Sequence, residues 1–432
     1  MAPIKLVYIG GGSSRAPGTV ATFLLKAKEF AGSEVVLVDL DPERLELVRR
    51  IGQRIIDHDG LDITLSATTD RRAALTDCDA VLSSFRPGGF EARARDERIP
   101  LKYGVIGQET QGPGGFFMAL RSIAELSRIV DDMHDVCPNA RIFNYTNPVN
   151  IVSQAISRFT DIPILSMCEG PIYFPALVLE AAGLDPARAH VVMAGVNHNC
   201  WSHTHTYDGE DLIPLLDAAW EAKKDDPRVS DFDKKLLHLA VLGRSVPSEY
   251  FRYYYYKDEM LREYQLSRQT RAEFLLSELP DYWRHYREQA AADYPTLDPA
   301  LSRGGINELE LAIDVMDAFY NNTGERLPVN QPNNGALPGF DDDVVTELWC
   351  TVDATGAHPE PQKPLPHTVR GIVQALAEYQ YVAAEAAWRG TRRDAVAALV
   401  ANPLVPSVEV AEHLYDEMAA AHHDYLPERL LK

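Results

Sequence analysis

The chain has 432 residues, 46% of them hydrophobic, which is enough for two domains with sizeable cores. Its formal charge of -21 opposes nucleic-acid binding, so any anionic ligand must meet a local cluster of arginines. The five cysteines, Cys78, Cys137, Cys168, Cys200 and Cys350, form no paired framework, no apolar run is long enough for a membrane helix, and no leader pattern follows Met1. The sequence therefore predicts a cytoplasmic protein that does not engage membranes.

The first apolar run, IKLVYI at 4–9, is rich in β-formers and ends at Gly10-Gly11-Gly12, before a helical pattern around TVATFLLKAKEF. A second run, VVLVDL at 35–40, leads into DPERLELVRRIGQRII, with apolar residues at helical spacing; together these make a βαβ unit. Three further strand candidates, AVLSSF at 80–85, ARIFNYT at 140–146 and IPILSM at 162–167, each follow an amphipathic helical segment. Alternating strands and helices predict an α/β fold with a doubly wound parallel sheet over residues 1–196. Beyond residue 200 the pattern changes. Residues 210–300 read as mostly helical and charged, a strand pair is expected around 327–353, and Val369, Ile372, Val373 and Leu376 mark one face of a terminal helix. Residues 197–432 are accordingly expected to form a mixed α+β domain. Its cleft with the sheet should lie at the carboxyl ends of the parallel strands.

Gly10, Gly12, Ser13 and Ser14 stand where a helix N-terminus can hold a pyrophosphate, and Asp39 ends the second strand, where a carboxylate can accept from a ribose diol. That pattern favours NAD over its 2′-phosphorylated relative, although a glycine turn that serves packing, with Asp39 capping a helix, has the same spelling. Cys168 and His198 each follow an apparent strand end, which would bring a thiol and an imidazole to one rim of the sheet. Singly, both residue types are more often core than ligand. Two donors make an incomplete zinc site but leave positions open for a substrate's vicinal hydroxyls, and Cys200 competes for the ligand role. SEYFRYYYY at 248–256 reads either as an aromatic helical face with Arg252 paired to an acid or as the source of a phenol base, which needs a nearby cation to lower its pKa. Arg86, Arg93, Arg95 and Arg98 form a basic run that a solvated helix face mostly explains, with an anion site the alternative.

These segments together resemble the NAD-dependent family 4 glycoside hydrolases. The resemblance runs over essentially the whole chain. It rests on IGGGSS at 9–14, FRPGG at 85–89, DERIPLKYGVIGQET at 96–110 with GPGGF after it, and NYTNP at 144–148. It continues through Cys168 with Pro171, GVNH at 195–198, YFRYYY at 250–255, RGG at 303–305 and NNGALP at 333–338. The resemblance implies a Rossmann-like fold of the lactate/malate dehydrogenase type, a homodimer or homotetramer, and a small-molecule glycoside or phosphoglycoside as substrate. It also implies a reaction without the usual carboxylate pair. NAD takes hydride from sugar C3, a divalent metal, usually manganese, steadies the enediolate at O2 and O3, a tyrosine takes the C2 proton, the leaving group departs, water adds and the hydride returns. Carried over by position, Cys168 and His198 match the metal ligands, Tyr250 the C2 base and Asn147 a substrate contact, while Gly10, Gly12, Ser13, Ser14 and Asp39 fall on the NAD site. Arg93 and Arg303 are the candidates for the sugar's anionic group. Glu169 stands where 6-phospho-β-glucosidases have Asn and the α-enzymes Asp, and its carboxyl can protonate a leaving group. Arg15 replaces a usual tyrosine, and Ile306-Asn307-Glu308 replaces a Tyr-Ser pair after the RGG, putting a carboxylate beside an expected phosphate site. The expected activity is that of a 6-phospho-β-glucosidase. α-Linked, unphosphorylated or glycosiduronate substrates, and a C3 dehydrogenase or epimerase, are the alternatives.

Overall fold

The computed structural model describes residues 2–303 and 310–432. Six strands, β1 (Lys5–Ile9), β2 (Ser33–Val38), β3 (Ile63–Thr68), β4 (Ala80–Ser83), β5 (Arg141–Asn144) and β6 (Ile164–Ser166), pair in parallel in the order 3-2-1-4-5-6. That is the doubly wound order of dinucleotide-binding dehydrogenases, as the alternating pattern implies. Both faces of the sheet are covered, so the strands need apolar residues on both sides. Val7, Ile9, Val36 and Val38 enter one core, and Leu6, Tyr8, Val35 and Leu37 enter the other.

Asp41 and Asp70 cap two of the helices that cover it. α1 (Ala16–Leu25) has Pro17 in its first turn, and nearly every residue is buried. α2 (Pro42–Asp59) starts where Asp41 accepts from the amides of Glu43 and Arg44, and it stops at Gly60 in the left-handed conformation. The short α3 (Arg71–Leu75), α4 (Gly89–Arg98), α5 (Gly112–Val136), α6 (Val149–Phe159) and α7 (Gly170–Ala182) complete the first half.

The second half extends this sheet. β7 (Ala189–Val196) and β8 (Asn199–Tyr207) form a hairpin, with the short β9 (Glu210–Asp211) beside it. β10 (Glu325–Pro332) and β11 (Val345–Asp353) form another hairpin, with β12 (Gly356–Pro359) paired to β11. Among the described residues all twelve strands belong to one sheet, and beyond β6 its order is β6-β10-β11-β7-β8-β9. The late hairpin is thus inserted between β6 and β7, through antiparallel pairings Asn330 with Ser166 and Glu347 with Gly195. The expected division at 196/197 falls in the turn of the β7–β8 hairpin, and the sheet is continuous across it. Helices fill 210–300 as the sequence predicts, and His367–Arg389 buries Val369, Val373 and Leu376. Among the described residues, no helix is long and apolar enough to cross a membrane.

Candidate active site

The glycine turn and Asp39 meet directly. Gly10 has φ +102°, and a Cβ there would lie 2.1 Å from the carbonyl oxygen of Ser84, so only glycine lets the backbone pass so close to β4. The Gly12 amide donates to Asp39 Oδ2 at 2.9 Å, while the Leu40 amide donates to Oδ1 at 2.7 Å. The carboxylate therefore fixes the turn while standing at the end of β2. Ser13 Oγ is buried and completes no hydrogen bond among the described residues, which suits it to an oxygen of a bound pyrophosphate. The Ser14 carbonyl accepts from Tyr286 Oη at 2.7 Å, which in turn receives the Arg303 amide at 3.2 Å.

Cys168 follows β6, and His198 sits at the tip of the β7–β8 hairpin with φ +65°. Insertion of β10 and β11 separates their strands in the sheet, yet Tyr250 stands near both side chains. The Asn197 side chain reaches the Cys168 thiol, and Tyr250 is close enough to Cys168 to feel its charge. Tyr250 stacks on His198, with ring centroids 4.0 Å apart and planes 6° from parallel. His198 Nδ1 pairs with Thr110 Oγ1 at 2.8 Å, which leaves Nε2 as the ring nitrogen for a ligand, and Ser248 Oγ donates to the His198 carbonyl.

Burial sets the protonation states here. It pushes the His198 pKa down to about 4, against the pull of Glu109, so the ring is neutral and able to coordinate at neutral pH. It pushes the Cys168 thiol well above its ordinary value, helped by Glu347 and Glu169 and opposed by the Gly170 amide and Asn197. Burial likewise raises the Tyr250 phenol, with Tyr173, Glu249 and Cys168 adding to the effect. A thiol and a phenol in this state would give up their protons to base or solvent only beside a cation that stabilises the anions left behind, which a divalent metal would supply. Glu169 precedes α7, and its Oε1 accepts from Tyr145 Oη. Asn147 stands just beyond β5, held by Ser122 Oγ donating to its carbonyl at 2.9 Å. Cys200, the competing ligand, lies on β8 in the apolar core, fully buried among residues such as Met193 and Leu237.

The basic run corrects one expectation. A solvated face describes only Arg95, which donates to the Ala421 carbonyl, and Arg98, paired with Glu273. Arg93, on α4, is buried, and Arg86 is mostly so. Both grip Glu109, Arg86 through Nη2 and Arg93 through Nη1 at 2.6 Å. Arg303 and Arg15 belong to the same group. Burial, with Arg15 and Arg86 adding to it, pushes the Arg303 guanidinium down to about 9 against the pull of Glu109. Burial opposes ionisation of Glu109, but Arg86, Arg93 and Arg303 outweigh it and hold the carboxyl well below the usual range. Arg93 also pairs with Glu97 at 2.7 Å. Three arginines thus share one carboxylate with Arg15 close to two of them, an arrangement that can hold a further anion. Gly304, Gly305, Ile306, Asn307 and Glu308 lie outside the described residues.

The SEYFRYYYY segment forms a 3-10 turn, Glu249–Phe251, and a four-residue helix, Arg252–Tyr255, in place of a long helical face. Arg252 does pair with an acid, Glu249, at 3.3 Å. Sequence reasoning missed Glu109, Thr110, Tyr145, Asn197 and Glu347. The first two lie inside the GQET stretch already singled out. Glu347 left a fainter mark, a charge within the apolar strand VTELWC.

A family model described as "Family 4 glycosyl hydrolase" matches residues 5–184, and one for the family's C-terminal domain matches residues 193–405. The chain belongs to family 4 of the glycosyl hydrolases. It is similar to a probable 6-phospho-β-glucosidase of Bacillus subtilis (strain 168), 37% identical over 438 residues that cover 98% of each chain. A 6-phospho-α-glucosidase from gut microorganisms, solved with NAD and glucose-6-phosphate, superposes with TM-score 0.85 at 26% identity, covering 99% of this chain and 100% of that one. The 6-phospho-β-glucosidase of Thermotoga maritima, solved with manganese, NAD+ and glucose-6-phosphate, gives TM-score 0.83 at 27% identity, covering 98% and 99%. Relatives of both anomeric classes thus share the full length of this family 4 enzyme.

Proposed function

We propose that this enzyme hydrolyses 6-phosphorylated glucosides, with a preference for the β-anomer, using NAD and a divalent cation such as Mn2+. The observation that carries the reading is the arginine pocket, where Arg86, Arg93 and Arg303 act on the single carboxylate of Glu109 and Arg15 stands close to Arg86 and Arg303. An acidic chain has no structural need to bury that many guanidinium groups beside its glycine turn, and a phosphate dianion would complete their charge. The β preference rests on overall likeness to 6-phospho-β-glucosidases.

When bound, NAD supplies a hydride acceptor for sugar C3 and the cation a Lewis acid for O2 and O3. The residues present fit both groups: Gly10, Gly12, Ser13, Ser14 and Asp39 would hold NAD, and Cys168 Sγ with His198 Nε2 would hold the cation. Tyr250, stacked on the ligand imidazole, takes the C2 proton once its phenol is lowered by a neighbouring positive charge. Glu169 delivers a proton to the departing oxygen, oriented by Tyr145. Asn147 contacts the sugar, and Arg93 and Arg303 anchor its 6-phosphate.

The test is nitrophenol release from 6-phosphorylated and free α- and β-nitrophenyl glucosides, and from a nitrophenyl glucuronide, with NAD, Mn2+ and thiol present. Release from the 6-phosphorylated β-glucoside, with no net NADH, is the expected result. Preferential release from the glucuronide or a free glucoside would overturn the phosphate assignment. Net NADH formation from a free sugar would mark a dehydrogenase.

A further inference from the structure

The two residues proposed to hold the cation come from strand ends that are not neighbours. Cys168 follows β6 and His198 follows β7, and the sheet places β10 and β11 between them. A shear of one strand past another would change the separation of the two donors. Backbone pairing restrains that shear weakly here, because β6 meets β10 and β11 meets β7 through a single paired position each, Asn330 with Ser166 and Glu347 with Gly195.

Side chains at these same positions span the gap. Glu347 Oε1, on β11, accepts from Asn330 Nδ2 on β10 at 2.9 Å and from Asn197 Nδ2 at 2.7 Å. Asn330 Nδ2 also lies 3.4 Å from the Ser166 carbonyl, two residues before Cys168. Asn197 adjoins His198 in sequence and reaches the Cys168 thiol. One carboxylate oxygen thus ties the β6 end to the β7 end across two intervening strands. Asn197, Asn330 and Glu347 are all nearly inaccessible to solvent, where such bonds face little competition from water. A lone buried acid placed for packing would be costly, and an apolar side chain would fill the same space. The Cys200 thiol adds a further hydrogen bond to the Glu347 carboxyl.

We infer that Glu347 is a positioning residue for the metal pair: through Asn330 and Asn197 it sets the spacing of Cys168 and His198 for a divalent cation. The inference rests on the reading of those two residues as the cation's ligands. What matters is an acceptor oxygen at the position of Oε1, and Glu347→Gln keeps one, whereas Glu347→Ala removes it. Groups that orient metal ligands commonly change affinity by about 10–100-fold when lost.

The experiment is Mn2+ titration of the full-length protein, read from the electron paramagnetic resonance signal of free Mn2+, with NAD+ affinity measured by calorimetry on the same samples. Glu347→Ala should weaken Mn2+ binding about 10–100-fold and leave NAD+ affinity unchanged, because the glycine turn is on distant strands. Glu347→Gln should bind Mn2+ within about threefold of the wild type, as the acceptor is retained. Should Glu347→Ala fail to fold, Asn197→Ala cuts only the link toward β7 and should weaken Mn2+ in the same direction. Wild-type affinity in Glu347→Ala or Asn197→Ala, or an equal loss in Glu347→Gln and Glu347→Ala, overturns the positioning role while leaving the metal site intact. Mn2+ binding that survives both Cys168→Ala and His198→Ala removes the metal reading itself, and this inference with it.

Discussion

Glu109 and Glu347 are both buried carboxyls of the candidate site, yet their surroundings push them in opposite directions. Around Glu109 the guanidinium groups of Arg86, Arg93 and Arg303 overcome the cost of burial and keep the charge. None of the leading influences on Glu347 is a cation; burial pushes its pKa up to about 7, and hydrogen bonds from Asn330 and Asn197 only moderate the rise. The arginine pocket is therefore charged as folded, a surface made ready for an anion. The thiol pocket holds Cys168, His198 and Tyr250 in neutral forms, and a cation must arrive before the thiol and the phenol carry charge. A binding site for a stable anion can hold its counter-charges permanently, whereas one that must exchange protons is better left discharged.

The largest break in this contrast is Glu109→Gln. It takes the shared counter-charge from Arg86, Arg93 and Arg303, leaving Arg93 its pair with Glu97, and should cost about 3–5 kcal/mol, measured by denaturant unfolding. The pH response separates the two carboxyls next. Glu109 has a folded pKa below its ordinary 4.5, so its stabilisation is present above that value and is lost as pH falls. Glu347 has a folded pKa raised from 4.5 to about 7, so its contribution is full below 4.5 and is lost as pH rises through 7, on the order of a few kcal/mol. Stability curves of Glu347→Gln against the wild type should diverge between those values, and parallel curves would refute the assignment. A smaller effect is expected of Arg303→Met. It should lower kcat/KM for a 6-phosphorylated glucoside by about 10–100-fold, the worth of a hydrogen bond to a charged group, with little change for the unphosphorylated analogue. Thr110→Val should give the least, about a tenfold loss of Mn2+ affinity in titration, because His198 loses the partner that orients its ring.

Much of the first half could be read along the chain because its signals are local. A strand, a glycine turn and Asp39 lie within forty residues, and the structure joins them through one bond from Gly12. The hairpin at 325–353 was also legible as a strand pair, but its place between β6 and β7 was not, since nothing local records which edge a distant hairpin joins. Arg93 was hidden by its own partner: a Glu four residues on is the usual mark of an exposed helical pair, and here both residues are buried. Four tyrosines in a row suggest a helical face. The structure turns them in several directions, with Tyr255 against Trp201 and Tyr256 against His238, so no single periodicity survives. Glu347 acquires its meaning only from Asn197 and Asn330, which no spacing rule connects to it.

The inserted hairpin also orders events during synthesis. The six parallel strands and their helices leave the ribosome before β10 and β11 exist, and non-local pairing is slow to form. The glycine turn can therefore close on β2 in a nascent chain whose Cys168 and His198 have not yet been set at their final spacing. A chain released before residue 325 would lack the two strands that hold the β6 end apart from the β7 end, so the spacing of Cys168 and His198 is fixed only once the later part of the chain has been made.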